Sequence, residues 1–143
     1  AYQSFFQTLV DELRTNHNFT RATKAQAKSW CPFSSGLSGI KYHAAFNKDD
    51  NAHVDLSIDQ GETNRNKAIF DALLHDAKKI ESEFGSTLDW RRLDGKQVSP
   101  IVTTRPATIG DDEDALVEVR GWMVAQLLKF RKVFPPRLTT ILD

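Results

Sequence analysis

The fold is decided by Leu37-Ser-Gly-Ile-Lys-Tyr-His-Ala-Ala-Phe-Asn47 and Ala52-His-Val-Asp-Leu-Ser-Ile-Asp-Gln60, two stretches separated by the polar connection Lys48-Asp-Asp-Asn51. In each stretch apolar and polar residues alternate with a period of two, which is typical of a strand that buries one face. The polar connection between them indicates a hairpin. Because a sheet with one solvated face is usually antiparallel, we expect this hairpin to belong to an antiparallel sheet.

Helices and a second hairpin are predicted around this first hairpin. Apolar residues at helical spacing indicate helices, alternation around an Asp-Gly turn indicates strands, and proline or polar runs indicate loops. The predicted segments are helix 2–14, short helix 20–28, loop 30–35, helix 62–84, strands 87–93 and 100–105, helix 111–134 and a loose end at 137–143. The sequence thus predicts an α+β fold of order α-α-β-β-α-β-β-α, with a single antiparallel sheet of about four strands (two hairpins) covered on one face by helices.

The length and composition set limits on the class of protein. The 143 residues suit one domain, predicted to span residues 1–143, and 19 Lys and Arg balance 19 Asp and Glu. A net charge of zero argues against a strongly basic nucleic-acid binder. The single cysteine excludes an intrachain disulfide and favours a cytoplasmic location, and no apolar run approaches the ~20 residues of a membrane span. Since Met123 is the only methionine, either a start residue was removed or the chain is a fragment of a longer protein. The helical pattern at its very beginning favours the fragment, which would be the C-terminal part.

The solvated face of the first hairpin carries one candidate site. His43, His53, Asp55 and Asp59 share this face, with Lys41 beside them. Two imidazoles and two carboxylates can hold a divalent metal or perform acid–base chemistry. Polar residues on a solvated sheet face also form cross-strand pairs that have no further role. Both interpretations stay open, and no metal ligand is assigned.

A second candidate site combines cations, an aromatic residue and a Gly/Ser loop. Arg21, Lys24 and Lys28 would share one face of the predicted short helix and form a basic stripe. This combination suits contacts with nucleic-acid phosphates and the stacking of an unpaired base. Three cations on an Ala-rich helix are equally typical of a solvated surface. The predicted nucleic-acid-binding residues are Arg21, Lys24, Lys28, Trp30, Ser35, Gly36, Arg65 and Lys67.

Two acidic-x-Lys patterns lead to no catalytic assignment. A restriction-type nuclease needs Asp/Glu-x-Lys on a strand, where carboxylates hold a metal and the lysine polarises a water. Asp94-Gly-Lys96 matches this pattern but is typical of a hairpin turn, and Asp76-Ala-Lys78 matches it in the middle of a predicted helix. We therefore assign no catalytic residue and expect any cleavage to come from another part of a parent protein.

Several motifs spread along the chain resemble one bacterial family, the domain of unknown function 4268. The resemblance covers about residues 5–134 and implies a C-terminal domain that often follows a nuclease-like domain in restriction or defence proteins. It implies no catalytic residue. The motifs are Ser34-Ser-Gly-Leu-Ser-Gly-Ile-Lys-Tyr42, His53-Val-Asp-Leu-Ser-Ile-Asp59, Asn66-Lys-Ala-Ile-Phe-Asp-Ala-Leu73, Ile80-Glu-Ser-Glu-Phe-Gly85, Leu88-Asp-Trp-Arg-Arg-Leu-Asp94 and Trp122-Met-Val-Ala-Gln-Leu-Leu-Lys-Phe130.

Three functions stay open at the sequence level. The resemblance favours a non-catalytic accessory domain of a nuclease-linked or defence-type protein, contributing nucleic-acid contact or substrate sensing. The second is an interaction module whose partner is an N-terminal or separate domain, or a second copy. The third is a metal-dependent enzyme that uses the His/Asp face, and a divalent metal at that face is the one cofactor considered. No membrane partner is expected.

Overall fold

One antiparallel sheet and five helices make up the computed structural model, which describes residues 1–143. The strands are β1 (Trp30–Ser34), β2 (Ile40–Phe46), β3 (Asn51–Ile58), β4 (Asp89–Trp90) and β5 (Ser99–Pro106). The helices are α1 (Tyr2–His17), α2 (Thr63–His75), α3 (Ala77–Phe84), α4 (Glu113–Val133) and α5 (Pro135–Leu142). The strand order across the sheet is β1-β2-β3-β5-β4. The α+β class and the antiparallel sheet are confirmed, with five strands instead of about four.

The predicted central hairpin forms between β2 and β3. Its turn brings Asp50 into the left-handed region with a φ of 57°. Tyr42 lies opposite Leu56, and both side chains are buried. One position along, His43 lies opposite Asp55 on the other face of the sheet. The period-two pattern therefore assigned the two faces of this hairpin correctly.

The helices pack on the face of the sheet that carries Tyr42. Helix α4 lies against β2 and β3, while α1, α3 and α5 pack against α4. The ring centroid of Phe130 in α4 lies 6.3 Å from that of Tyr42 and 5.0 Å from that of Phe84 in α3. One cluster of 31 buried apolar residues joins these layers. The opposite face, which carries Trp30 and His43 and is called the open face, has no helix packed on it.

None of the five helices is both long enough and apolar enough to cross a membrane.

The predicted helix over residues 20–28 is wrong, because this segment is irregular. Its backbone groups form hydrogen bonds with side chains of α1 in place of the backbone hydrogen bonds of a helix. Gln7 Nε2 donates to the carbonyl of Thr23, and Gln7 Oε1 accepts from the amide of Ala25, each at 2.9 Å. Arg14 donates to the carbonyl of Ala22 at 2.9 Å. These tertiary hydrogen bonds outweigh the weak helical preference of an Ala-rich segment.

The predicted loop over residues 30–35 is also wrong, since Trp30–Ser34 forms the edge strand β1. Cys31 and Phe33 face the core, whereas Pro32 is exposed. Proline disfavours a central strand because it lacks an N–H, and this favoured a loop at the sequence level. At the edge of a sheet the same residue is compatible with a strand.

The predicted helix over residues 62–84 is interrupted at Asp76, which separates α2 from α3. Its backbone departs from helical geometry, with φ −100° and ψ 17°, and its amide donates to the carbonyls of Leu73 and Leu74. The amide of Ile80 then bonds to the carbonyl of Asp76, which starts the next helix. The apolar spacing continues across the break, so the pattern did not reveal it.

The second predicted hairpin is shorter on its first strand. Strand β4 covers Asp89–Trp90 instead of residues 87–93, because Leu93 adopts a φ of 51° and the chain turns before β5. Residues 137–143, predicted to be loose, continue α5. Leu138 is completely buried, and the Arg137 guanidinium bonds both oxygens of the Glu83 carboxylate in α3.

Candidate functional site

The open face brings His43, His53 and Asp55 together. His43 lies opposite Asp55 in the β2–β3 ladder, and His53 lies two positions before Asp55 on the same strand. His43 Nδ1 lies 2.9 Å from Asp55 Oδ1, and His53 Nε2 lies 3.2 Å from Asp55 Oδ2. Each carboxylate oxygen therefore accepts from one imidazole. Three of the four residues predicted for this face form one cluster, called the His-Asp-His cluster.

The Asp55 carboxylate is nearly buried, with 11% of its side chain exposed. Burial alone would raise the pKa of Asp55, but the hydrogen bonds and charges of His43 and His53 outweigh it and hold that pKa below its ordinary value. Asp55 is therefore ionised at neutral pH and orients both rings. Each ring keeps one nitrogen that does not face Asp55, and such a nitrogen can exchange a proton or bond a ligand.

Asp59, the fourth predicted member, does not join this cluster. The strand ends at Ile58, and Asp59 Oδ1 accepts from Gln97 Nε2 at 2.8 Å and from the amide of Gly61 at 3.0 Å. It also accepts from Asn66 Nδ2 at 3.3 Å. The hydrogen bonds from Gln97 and Gly61 lower the pKa of Asp59. Asp59 thus ties the end of β3 to the loop before β5 and to α2.

The exposed indole of Trp30 lies beside the His-Asp-His cluster, and the two share a shallow cavity of about 470 Å³. Trp30 is 44% exposed, and its ring meets that of His43 edge-on with centroids 6.1 Å apart. Lys28 Nζ lies 5.2 Å from the centroid of the indole. An exposed aromatic ring beside a cation is a surface on which a planar group can stack.

No group of three or more His, Cys, Asp or Glu side chains is arranged to hold a metal ion. In the His-Asp-His cluster both carboxylate oxygens of Asp55 already accept from ring nitrogens. A metal ligated by this set would have to replace those two hydrogen bonds, because the nitrogens point at the carboxylate. The arrangement instead suits proton exchange and hydrogen bonding.

The basic stripe is not a helix face, because residues 20–28 are irregular. Lys28 remains next to Trp30. Arg21 lies near the other end of β1, in a cleft of about 520 Å³ that Ser35 and Gly36 also line. Lys24 is exposed and lines neither this cleft nor the cavity at Trp30. The predicted nucleic-acid surface is thus divided between two places.

The same cleft contains two residues that sequence reasoning missed, Tyr42 and Arg131. The alternation in β2 assigned Tyr42 to the core, which is correct for its ring. Arg131 belongs to α4, and only the tertiary fold brings it into the same cleft as Arg21. A single sequence contains no local signal for such a pair.

Lys67 and Arg65 do not extend either surface. Lys67 is buried, and its Nζ donates to the carbonyls of Arg92 at 2.6 Å and Leu93 at 3.0 Å and to Ser99 Oγ at 2.7 Å. It therefore holds the loop between β4 and β5. Arg65 is exposed in the first turn of α2, with no carboxylate within ion-pair distance.

Neither acidic-x-Lys pattern forms a site. Asp94 lies in the exposed turn after β4 and bonds to Arg92. Asp76 lies between two helices, not in the middle of one as predicted, and its Oδ2 is 3.9 Å from Arg137 Nε. Burial raises the pKa of Cys31 to about 11, so this thiol stays protonated at neutral pH.

A comparison with protein families agrees with the resemblance seen in the motifs. The model of the family described as Domain of unknown function (DUF4268) matches residues 1–138. No curated protein and no solved structure matches the chain. The matched region contains the whole sheet, the His-Asp-His cluster, Trp30 and the cleft at Arg21. The chain therefore belongs to the family described as Domain of unknown function (DUF4268).

Proposed function

We propose that this chain is a non-catalytic accessory domain that contacts single-stranded nucleic acid through its open face. One observation carries the proposal: Trp30 is exposed on that face between Lys28 and His43. An unpaired base stacks on the indole, and the ammonium group of Lys28 meets the adjoining phosphate. The proposal places the domain in the cytoplasm, which the single cysteine favours, and within a nuclease-linked or defence-type bacterial protein, which the family resemblance implies.

The surroundings of Trp30 support this assignment. Asp55 is the nearest buried carboxylate, and its charge is already engaged by His43 and His53. It therefore repels a phosphate less than a free carboxylate in the same place would. Lys41 adds a further cation on the same face and stays exposed. Because a duplex hides the faces of its bases, a flat stacking surface favours unpaired strands.

The experiment is a fluorescence anisotropy titration of labelled single-stranded DNA, single-stranded RNA and duplex DNA with the full chain. We expect single strands to bind more tightly than the duplex, and binding to weaken as salt rises. Trp30→Ala should weaken single-strand binding about 5- to 100-fold, since stacking on an aromatic ring contributes about 1–3 kcal/mol per base. Lys28→Gln should weaken binding and reduce its salt dependence.

Lys78→Gln is the matched control for Lys28→Gln, because Lys78 is exposed on α3, away from the sheet. This variant should bind single strands as the unmodified protein does. The proposal is wrong if no oligonucleotide binds at low salt, or if Trp30→Ala binds as tightly as the unmodified chain while remaining folded.

The same face supports a second candidate function, the docking of another protein domain or of a second copy. Trp30 and Pro32 are exposed on the open face, and Pro100 is half-buried there. These apolar side chains favour a protein partner. Sedimentation of the chain over a range of concentrations tests whether a second copy docks on this face. If it does, the measured mass doubles as the concentration rises, and the Trp30→Ala variant keeps the mass of one chain.

A further inference from the structure

A cleft of about 520 Å³, the arginine cleft, lies beyond the C-terminal end of β1. Arg21 contributes from the segment after α1, Ser34 from the end of β1, Tyr42 from β2 and Arg131 from α4. No acidic residue lines it. The cleft does not include Trp30 or the His-Asp-His cluster, so it is separate from the surface proposed to bind single strands.

The two guanidinium groups of this cleft are not neutralised by carboxylates. Arg21 and Arg131 have no Asp or Glu oxygen within 4.0 Å, whereas Arg14, Arg92 and Arg137 each pair with at least one. In a chain whose formal net charge is zero, two unpaired arginines that share one cleft make a local positive region. Such a region attracts anions.

Arg131 is held in place while most of its donors stay free. Its Nη1 donates to the carbonyl of His17 at 3.0 Å and to that of Asn18 at 3.4 Å, at the C-terminal end of α1. Its guanidinium also lies 5.1 Å from the ring centroid of Phe19. These contacts fix the plane of the group and leave Nε and Nη2 without a partner. A fixed, planar set of donors is suited to an oxyanion.

Tyr42 contributes a hydroxyl group that has no partner. Only 1% of this residue is exposed, and its ring packs against Phe19 and Phe130. Its Oη is the one buried side-chain polar atom in the protein without a hydrogen bond. Burial raises the pKa of Tyr42 to about 12, with Arg131 opposing part of the effect. The phenol is therefore protonated at neutral pH and can donate to an acceptor in the cleft.

Two aliphatic hydroxyl groups complete the set. Ser34 Oγ accepts from the amide of Gly36 at 3.2 Å, and Thr20 Oγ accepts from the amide of Ala22 at 3.1 Å. Neither hydroxyl donates a hydrogen bond within the protein, so each hydroxyl proton remains to be donated. The donors thus come from the loop after α1, the end of β1, β2 and α4, and they surround the cleft on several sides.

We propose that the arginine cleft binds a phosphate group, held by Arg21 and Arg131 with the Tyr42 hydroxyl as a neutral donor. Donors that come from several directions match the tetrahedral arrangement of phosphate oxygens better than a planar carboxylate. The group can belong to free phosphate, to a nucleotide or to the phosphorylated end of a strand. This site does not depend on stacking at Trp30. Phosphate binding here and the proposed single-strand binding can therefore be tested independently.

The test is isothermal titration calorimetry of the full chain with inorganic phosphate, adenosine monophosphate and a 5′-phosphorylated trinucleotide, the unphosphorylated trinucleotide serving as reference. Arg21→Gln should weaken binding about tenfold or more, as expected for a lost charge-assisted hydrogen bond. Arg65→Gln, which removes another exposed and unpaired arginine, should have no effect. The probe that binds most tightly identifies the source of the phosphate.

Tyr42→Phe separates binding from folding. Because the Tyr42 hydroxyl has no partner in the protein, its removal should leave the midpoint of urea unfolding unchanged or raise it. The same variant should weaken phosphate binding several-fold. The proposal is overturned if no phosphate-bearing probe binds up to about 10 mM, a concentration that would fill a millimolar site. It is also overturned if Arg21→Gln and Tyr42→Phe both bind like the unmodified chain.

Discussion

Asp55 shows how much one buried carboxylate does on the open face. It accepts from His43 on one oxygen and from His53 on the other, so it links β2 to β3 through side chains as well as backbone. At the sequence level, the period-two alternation of apolar and polar residues placed these three residues on one face of the hairpin. It did not indicate which of the acidic residues would lie between the imidazoles, because this depends on the register of the ladder.

We expect Asp55→Asn to destabilise the protein at pH 7 by about 1–3 kcal/mol, because an amide cannot accept from both imidazoles. The pKa of Asp55 in the folded protein lies below its ordinary value of 3.8, so folding favours the ionised form. Its contribution is therefore complete above pH 3.8 and is lost as the pH falls through the folded pKa. Urea unfolding at pH 7 and at about pH 3 should show the difference between the two proteins narrowing in acid.

Asp49→Asn is the control for this prediction, since Asp49 lies exposed in the turn of the same hairpin and its carboxylate makes no hydrogen bond or ion pair within the protein. Its free energy of unfolding should match that of the unmodified protein at both pH values. An Asp55→Asn protein as stable as the unmodified one at pH 7 would contradict the role assigned to Asp55 in the His-Asp-His cluster.

Lys67 is a second residue whose role is structural. Its buried ammonium group bonds to the carbonyls of Arg92 and Leu93 and to Ser99 Oγ. We expect Lys67→Met to lower the free energy of unfolding by about 2–4 kcal/mol, because the change keeps the apolar stem but removes the charge-assisted hydrogen bonds to Arg92, Leu93 and Ser99. Chemical denaturation measures this effect, and the exposed Lys78→Met should stay within about 0.5 kcal/mol of the unmodified protein. Equal stability of the two variants would show that Lys67 does not hold this loop.

Among the elements, the segment between α1 and β1 departs most from its local sequence preference. Gln7 and Arg14 on α1 supply the hydrogen bonds that an isolated helix over residues 20–28 would have made internally. The sequence predicted a helix because Ala and Lys favour one. Hydrogen bonds from side chains of the neighbouring helix α1 hold the segment in an irregular conformation instead, and no pattern within the segment itself indicates these hydrogen bonds.

We expect Gln7→Ala to release this segment, because it removes the acceptor of the Ala25 amide and the donor to Thr23. Amide hydrogen exchange at Ala25 should become at least tenfold faster, and the free energy of unfolding should fall by about 1–2 kcal/mol. Gln3→Ala is the matched control on the same helix, since the Gln3 side chain bonds only to Gln7, at 3.4 Å. Unchanged exchange at Ala25 in Gln7→Ala would refute the proposed anchoring.

The long, strongly periodic elements were predicted best. Helix α1, helix α4 and the β2–β3 hairpin lie where the sequence indicates, and Asp112 caps α4 by accepting from the amide of Ala115 at 2.9 Å. Two short elements, β1 and α5, were not predicted, because their formation depends on what they pack against. Helix α5 forms since Leu138 enters the core, and β1 forms since β2 offers a free edge.

At the scale of the whole molecule, the candidate sites show what sequence reasoning reaches. The His-Asp-His cluster was predicted because all its members lie on one hairpin. The arginine cleft was predicted only in part. The sequence indicated Arg21, Ser35 and Gly36, whereas Arg131 comes from α4 and joins them only in the tertiary fold. The zero net charge hides this contrast between a hydrogen-bonded carboxylate on one surface and guanidinium groups without a carboxylate partner on another.

The two outer strands of the sheet have a consequence for self-association by strand addition. The amide of Phe46 bonds to the carbonyl of Ser29, so ladder hydrogen bonds between β1 and β2 fall at odd-numbered residues of β1, and Pro32 faces the free border. A strand that approaches this border meets the ring of Pro32 at the position where it would need a backbone N–H donor. At the opposite border β4 has only two residues. Both borders therefore discourage the fibril-like extension to which an antiparallel sheet is otherwise exposed.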